Sequence, residues 1–409
     1  MRRCTLALLL GFLLGLPACV EGPVFVAPAA PQEKTAEEWL VRFEPGADAA
    51  QVALDFLSVL VGYDPAAEVG VLLGSLDPVA LLADARVRAL QLNHVIAFSE
   101  PVEITQGFHE GDWEDDEIAG QFALASMDLP RAHLASRGYG VLVAVLDTGV
   151  ESTHGHLAGR LLLTSSVPPD LGQEETNNGI DEDLDGKTDE AYGHGTHVAG
   201  IILTVAPEAT VLPIRIMNDD GAGFAFNLSR ALYHAKELGA DVVNLSLVLS
   251  NDSDVVHSFL EDLATAGIVV VAAAGNTPGT VGYPATDEYT VGVAATDAGD
   301  NLAPFSGSGP VPFAAPGVAV ESSYPGNLSA LASGTSMATP IVSGSFALIL
   351  CCKAPTSILA ESLLAGTVAP VLPLGAVVDG RVSPTAALFP WMPPRIPRID
   401  DRKLNHRIH

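Results

Sequence analysis

Three near-continuous apolar runs stand out along the chain: Val141-Leu142-Val143-Ala144-Val145-Leu146, Val242-Val243-Asn244-Leu245-Ser246-Leu247, and residues 268–274. A strand with one face on the core alternates apolar and polar positions; unbroken runs belong to strands of a parallel sheet covered on both faces. Between them lie helical patterns, with Ala231, Leu232, Ala235 and Leu238 on one face. Strand and helix in alternation predict an α/β domain with a doubly wound, mostly parallel sheet flanked by helices. Such sheets gather their chemistry at the carboxyl ends of the strands, and Asp147 and Asn276 stand just past the first and third runs.

Upstream the pattern changes. Residues 39–43 alternate like a strand before Pro45-Gly46, 50–60 carry helical spacing, 69–73 read as a strand, 78–85 as a helix and 95–98 as a last strand. This predicts a small α+β unit over residues 37–105. An acidic linker (106–120) joins it to the α/β domain (121–368), and a C-terminal extension (369–409) of Pro-rich and mildly basic character follows. At the other end, Met1-Arg2-Arg3 precedes a short apolar run, 6–16, with the flanks of a secretory signal (1–19). That run closes on Leu16-Pro17-Ala18-Cys19, which looks like a lipoprotein signal with Cys19 as the lipidated residue, ahead of a Pro/Ala-rich tether (20–36). Export is expected, with the membrane reached only through such a lipid anchor.

Composition narrows the function. With 409 residues and 48% apolar positions the chain can bury a large core. Its 49 acidic against 20 basic residues give a formal charge of −29. Nucleic-acid affinity needs the opposite balance, so no nucleic-acid partner is expected. The four cysteines do not form a disulfide framework: Cys4 and Cys19 belong to the leader, and the adjacent Cys351 and Cys352 read as buried thiols.

Three segments carry chemistry: Asp147-Thr148-Gly149 at a strand end, His194-Gly195-Thr196-His197-Val198-Ala199-Gly200, and Gly334-Thr335-Ser336-Met337-Ala338-Thr339-Pro340, the last two each opening a helical stretch. A serine hydroxyl becomes a nucleophile only when an imidazole takes its proton, and that imidazole needs a carboxylate to hold its tautomer. Together these segments resemble the subtilisin-like serine peptidases, the subtilases, over residues 125–364. The resemblance implies that Ser336 is the nucleophile of a seryl acyl-enzyme, His194 its general base and Asp147 the orienting acid, with His197 structural. It also implies an oxyanion donor in Asn276, beside the backbone N–H of Ser336.

Substrate in this family pairs with exposed backbone as an added strand. One lip of the cleft would be Gly221, Ala222 and Gly223; the other, Ser246, Leu247 and Val248, with Gly275 and Gly282 behind. Val248 departs from the family, which usually has glycine there. A neutral, apolar residue of small to medium size is expected before the scissile bond. The resemblance further implies that residues 37–105 are a prodomain acting as intramolecular inhibitor of a zymogen, with the processing site in or beside the stretch from Pro101 to Gly120. A permanently attached accessory domain is the alternative.

A last feature precedes the histidine: Asp181-Glu182-Asp183-Leu184-Asp185-Gly186-Lys187-Thr188-Asp189-Glu190. Alternating carboxylates followed by glycine match the start of a calcium loop. Asp181, Asp183 and Asp185 would ligate by side chain, Lys187 by its carbonyl, Asp189 directly or through water, and Glu190 in place of the missing final glutamate. Structural calcium is thus the expected cofactor, with no organic one. The family's other calcium loop has no room, since 201–207 runs straight on. The reading is a secreted serine endopeptidase acting on polypeptides; its rival is an inactive subtilase-fold surface protein with a calcium-dependent binding role, its cleft blocked by Val248.

Overall fold

The computed structural model describes residues 37–97, 103–107, 124, 127–181 and 186–352, so Cys19, the signal, the tether, most of the acidic linker and the tail lie outside it. The N-terminal unit runs β1 (Glu38–Phe43), α1 (Ala49–Asp55), β2 (Val59–Asp64), β3 (Val69–Leu73), α2 (Pro78–Leu82) and β4 (Val87–Leu92). Its four strands form an antiparallel sheet in the order β2-β3-β1-β4. Val41, Phe43, Val52, Leu72 and Leu81 make its core. The side chain of Asp48 caps α1 by accepting from Gln51 N–H at 3.0 Å. The helix expected over 50–60 stops at Asp55, because Leu57 takes a left-handed φ of 52° and the following Val59 and Val61 extend into β2.

Two strands leave this unit. β5 (Val95–Ala97), expected as its last strand, does not join its sheet, and β6 (Glu103–Gly107) pairs far along the chain. The α/β domain then contains α3 (Leu129–Ala132), β7 (Leu142–Asp147), α4 (His194–Val205), β8 (Thr210–Arg215), β9 (Gly223–Phe224), α5 (Ala225–Glu237), β10 (Val242–Leu245), β11 (Val248–Leu249), α6 (Asp254–Thr265), β12 (Val269–Ala273), β13 (Val291–Thr296), β14 (Phe313–Pro316), β15 (Val320–Tyr324), β16 (Leu328–Ser333) and α7 (Thr335–Cys351).

Six strands form one parallel sheet in the order β14-β13-β12-β10-β7-β8. Successive residues of β7 serve opposite faces: Val143 and Val145 pack with Val198 of α4 and Ile341 of α7, whereas Ala144 and Leu146 pack with Leu232 of α5 and Phe259 of α6. Both faces are buried, which is why the runs are apolar without alternation. The second run divides: its polar Ser246 falls past the end of β10, and Val248 opens the separate β11. Cys351 and Cys352 are free thiols, half-buried rather than buried, because they lie where α7 ends.

The N-terminal unit packs on α5 and α6. Arg42 lays its guanidinium over the Phe259 ring, 3.8 Å from the centroid, donates to Ser258 Oγ at 2.8 Å and pairs with Asp262. Asp64 accepts from Arg230 Nε at 2.9 Å and lies 3.2 Å from His234 Nε2. The unit also fills orphan donors at the helix starts: Ala225 N–H donates to the His94 carbonyl (2.9 Å), Phe226 N–H to Asn93 Oδ1 (3.3 Å) and Val255 N–H to Gln91 Oε1 (3.1 Å).

Candidate active site

Asp147 ends β7 and His194 begins α4, and the backbone brings them together. A Cβ on Gly195 would lie 2.0 Å from the carbonyl oxygen of Gly149, so the turn after β7 and the first turn of α4 touch with no side chain between them. His194 Nδ1 lies 2.7 Å from Asp147 Oδ1, which also accepts from Thr148 N–H at 2.8 Å. Both residues are buried. His197, one turn on, lies 3.0 Å by Nε2 from the Ala330 carbonyl, and burial lowers its pKa to about 4, so it stays neutral.

Ser336 lies in the first turn of α7. Pro340 has no N–H to give the carbonyl one helical turn back, which is that of Ser336. Ser246 supplies the missing donor: its Oγ donates to the Ser336 carbonyl at 2.9 Å, and Ser336 Oγ donates to the Ser246 carbonyl at 3.2 Å. The parallel register sets Asn244 opposite Val145, and continued along both chains it brings Ser246 level with Asp147. The Asp147–His194 pair and Ser336 thus sit over neighbouring strand ends. Their helices are in close contact too, since a Cβ on Gly344 of α7 would lie 2.7 Å from the Cβ of Val205 in α4.

Asn276 follows β12. Its Oδ1 accepts from the N–H and the hydroxyl of Thr335 at 2.9 and 3.0 Å. Those two donors decide which way the amide faces, leaving Nδ2 as the donating end, 3.2 Å from where a Cβ on Gly334 would stand.

The segments expected to line the cleft meet in a small sheet in the order β11-β5-β9, both pairings antiparallel: Ile96 stands opposite Gly223, and Ala97 opposite Val248. Gly221 and Ala222 form the turn into β9, donating to the carbonyl and Oδ1 of Asn218 at 3.0 and 2.7 Å. Leu247 is buried, whereas the Val248 side chain lies against two bare backbones. A Cβ on Gly282 would meet Val248 Cγ1 at 2.6 Å, and one on Gly275 would meet it at 3.3 Å.

One residue that sequence reading missed sits beside the pair. Glu175 accepts from Thr148 Oγ1 and Gly193 N–H, each at 2.8 Å, and its Oε2 is 2.5 Å from Thr196 Oγ1. Nothing in Gln173-Glu174-Glu175 marks it, because the loop fold alone brings it under α4.

The acidic loop is described in part; Asp183 and Asp185 lie outside. Asp181 Oδ2 accepts from Gly186 N–H at 3.0 Å, Lys187 is exposed, and Glu190 is half-buried. Asp189 accepts from Gly179 N–H at 2.9 Å through Oδ2, while its Oδ1 is buried with no hydrogen-bond partner. Burial first, and then the neighbouring carboxyl of Asp219, holds Asp189 above the usual carboxylate range. Asp219, which the sequence reading did not include, is buried and accepts from Asn178 N–H at 2.8 Å. Two carboxyl groups side by side, one oxygen lacking a donor, suit a hard cation. Among the described residues no three acidic, histidine or cysteine side chains gather to hold one by themselves.

Comparison with known proteins places these residues in a family. The subtilase family model matches residues 138–364. An alkaline protease of Alkalihalobacillus alcalophilus is 36% identical over 282 residues, covering 66% of this chain and 67% of that protein. Subtilisin Savinase of Lederbergia lenta is 38% identical over 241 residues, 56% of this chain and 83% of that protein. Thermitase of Thermoactinomyces vulgaris is 35% identical over 236 residues, 55% and 80% of the two chains.

Proposed function

Because the chain belongs to the subtilase family and is a serine-type endopeptidase, we propose that it cuts polypeptides through Ser336, His194 and Asp147. Ser336 Oγ leaves the Ser246 carbonyl, passes its proton to His194 and attacks the scissile carbonyl, giving a seryl acyl-enzyme that water later hydrolyses. Asp147 holds the imidazole tautomer and stabilises the imidazolium. Charge developing on the carbonyl oxygen is met by Asn276 Nδ2 and the N–H of Ser336, an amide of the first helical turn. The observation that carries this reading is the 2.7 Å contact of His194 with Asp147, beside a serine pinned to the next strand end. A fluorophosphonate should label the processed protein covalently, and Ser336→Ala should abolish labelling; a folded, processed wild type that takes no label would refute the assignment.

The chain is made as a zymogen in this reading, with residues 37–105 its inhibitor. Support comes from β5, which fills the cleft as substrate would. On the far side, β6 pairs with β16, Glu103 standing opposite Ser333 just ahead of Ser336. The bond cut in maturation would lie between Ala97 and Glu103, at the edge of the stretch from Pro101 to Gly120 expected above; residues 98–102 lie outside the described ones. Mass spectrometry of the mature N-terminus tests this, and Ser336→Ala should remain uncut.

Export, with Cys19 as lipid anchor, completes the proposal; metabolic labelling with a radiolabelled fatty acid, lost in Cys19→Ala, tests it. Among the described residues no helix is long and apolar enough to cross a membrane. Calcium would be structural, held by Asp181, Asp183, Asp185, Asp189, Glu190 and the Lys187 carbonyl, with Asp219 behind them.

A further inference from the structure

The carboxyl of Glu175 joins the two pieces of chain that carry Asp147 and His194. It accepts from the hydroxyl of Thr148, the residue after Asp147, and from the N–H of Gly193, the residue before His194. Its other oxygen meets the hydroxyl of Thr196, and Thr148 Oγ1 itself accepts from Gly195 N–H at 3.0 Å. Residues on both sides of the histidine are thereby tied to the residue beside the aspartate. We propose that Glu175 is a positioning residue for the peptidase reaction, holding the turn after β7 and the first turn of α4 at the separation that the Asp147–His194 hydrogen bond requires. This rests on the roles assigned above to Asp147 and His194.

The group works as a neutral acid. Burial pushes the Glu175 carboxyl up to about 8, the hydrogen bonds from Thr196 and Thr148 oppose this, and the charge of Asp147 adds to it. The titratable groups that feel its charge are Asp147 on β7, hydrogen-bonded in turn to His194, and Tyr192 just ahead of α4. A second carboxylate here would stand next to Asp147 in a buried place. Thr196 Oγ1 donates to Oε2 at 2.5 Å, and Oε1 accepts from Thr148 and Gly193. Glutamine keeps the neutral charge and the two bonds to Oε1, and offers Thr196 an amide N–H that its hydroxyl oxygen can accept.

Three full-length chains, allowed to mature, test this: wild type, Glu175→Ala and Glu175→Gln. Fluorophosphonate labelling of the wild type establishes the peptidase reading; no labelling there overturns both that reading and this one. In Glu175→Ala, kcat should fall about 10²-fold with KM within about twofold, the penalty of a misplaced catalytic group. In Glu175→Gln, kcat should stay within about threefold of wild type, and the acid limb of the pH profile should not move, because both side chains are neutral there. A labelled wild type with full kcat in Glu175→Ala overturns the proposal. So does a Gln variant as impaired as Ala, or an acid limb moved to lower pH, which would reveal a negative charge removed from beside the imidazole. If Glu175→Ala does not accumulate, Glu175→Asp takes its place, since it draws the carboxyl back by one methylene. It should lose kcat by about tenfold with an unchanged unfolding midpoint, and full activity overturns the proposal.

Discussion

Ser246 and Ser336 exchange hydrogen bonds, each hydroxyl donating to the other's carbonyl, at 2.9 and 3.2 Å. The pairing follows from Pro340, which leaves the Ser336 carbonyl without a helical donor. Ser246→Ala should therefore strand a buried acceptor and cost about 1–3 kcal/mol of unfolding free energy, with a parallel loss of kcat. In the double variant with Pro340→Ala, the new N–H at 340 can reach the same carbonyl. Denaturant unfolding of the four-member cycle should show recovery of much of the loss; strict additivity would break the argument.

Asn276→Leu would remove the proposed oxyanion donor while keeping the side-chain volume. The expected loss is about 10²–10³ in kcat, a size established for such a donor within this same family and borrowed from it. KM should change little, because the contact strengthens only as charge develops. Steady-state kinetics on one peptide substrate decides it, and a loss confined to KM would contradict the role.

Val248 fills the space between Gly275 and Gly282. Wild type should cut after small residues, and Val248→Gly should accept large apolar ones such as Phe and Leu, with gains of about 10–200-fold in kcat/KM. Library cleavage profiles of the two proteins provide the check. Equal profiles would mean that Val248 does not shape that subsite.

Asp64 anchors the N-terminal unit to α5. Burial works to raise its pKa, but the hydrogen bonds from His234 and Arg230 outweigh it and hold the carboxyl well below the usual range. A depressed pKa contributes stability above the ordinary carboxylate range and loses it only as pH falls through the depressed value. This contact thus stays intact at every pH near neutrality and fails in strong acid. Asp64→Asn leaves Arg230 short of a buried partner, and peptidase activity should appear sooner after maturation, by about tenfold or more. Activity that appears at the wild-type rate at neutral pH would show that the pair does not retain the unit.

If a cation sits at the acidic loop, chelation should lower the thermal midpoint of the mature protein, by several degrees for each kcal/mol of bound-state stability lost, and added calcium should restore it. Asp189→Asn should abolish the response. An unchanged midpoint with chelator would remove calcium from the account.

Much of the fold was legible because its cause is local. Strands such as β7, β10 and β12 are covered on both faces, so their apolar runs announce themselves. The fate of β5 was not legible: Val95-Ile96-Ala97 reads as a strand, but nothing in it says that its partners are Gly223 and Val248 rather than the neighbouring β4. The helix expected over 50–60 failed for a similar reason, since helical spacing cannot see the left-handed turn at Leu57. At the site, Asp147, His194 and Ser336 stand out as motif residues. Glu175 and Asp219 do not, because their meaning lies in loops that fold back under α4 and beside Asp189.

The cleft has one more consequence. β9 and β11 are two residues each, and what joins them is a visitor from another part of the chain. If maturation removes that strand, two short unpaired edges would face each other across a gap one strand wide. The processed molecule would be an assembly missing its centrepiece, and any extended segment offered to it, including a loosened loop of a sister molecule, completes the ribbon. Storage life in concentrated solution should depend on keeping that gap filled.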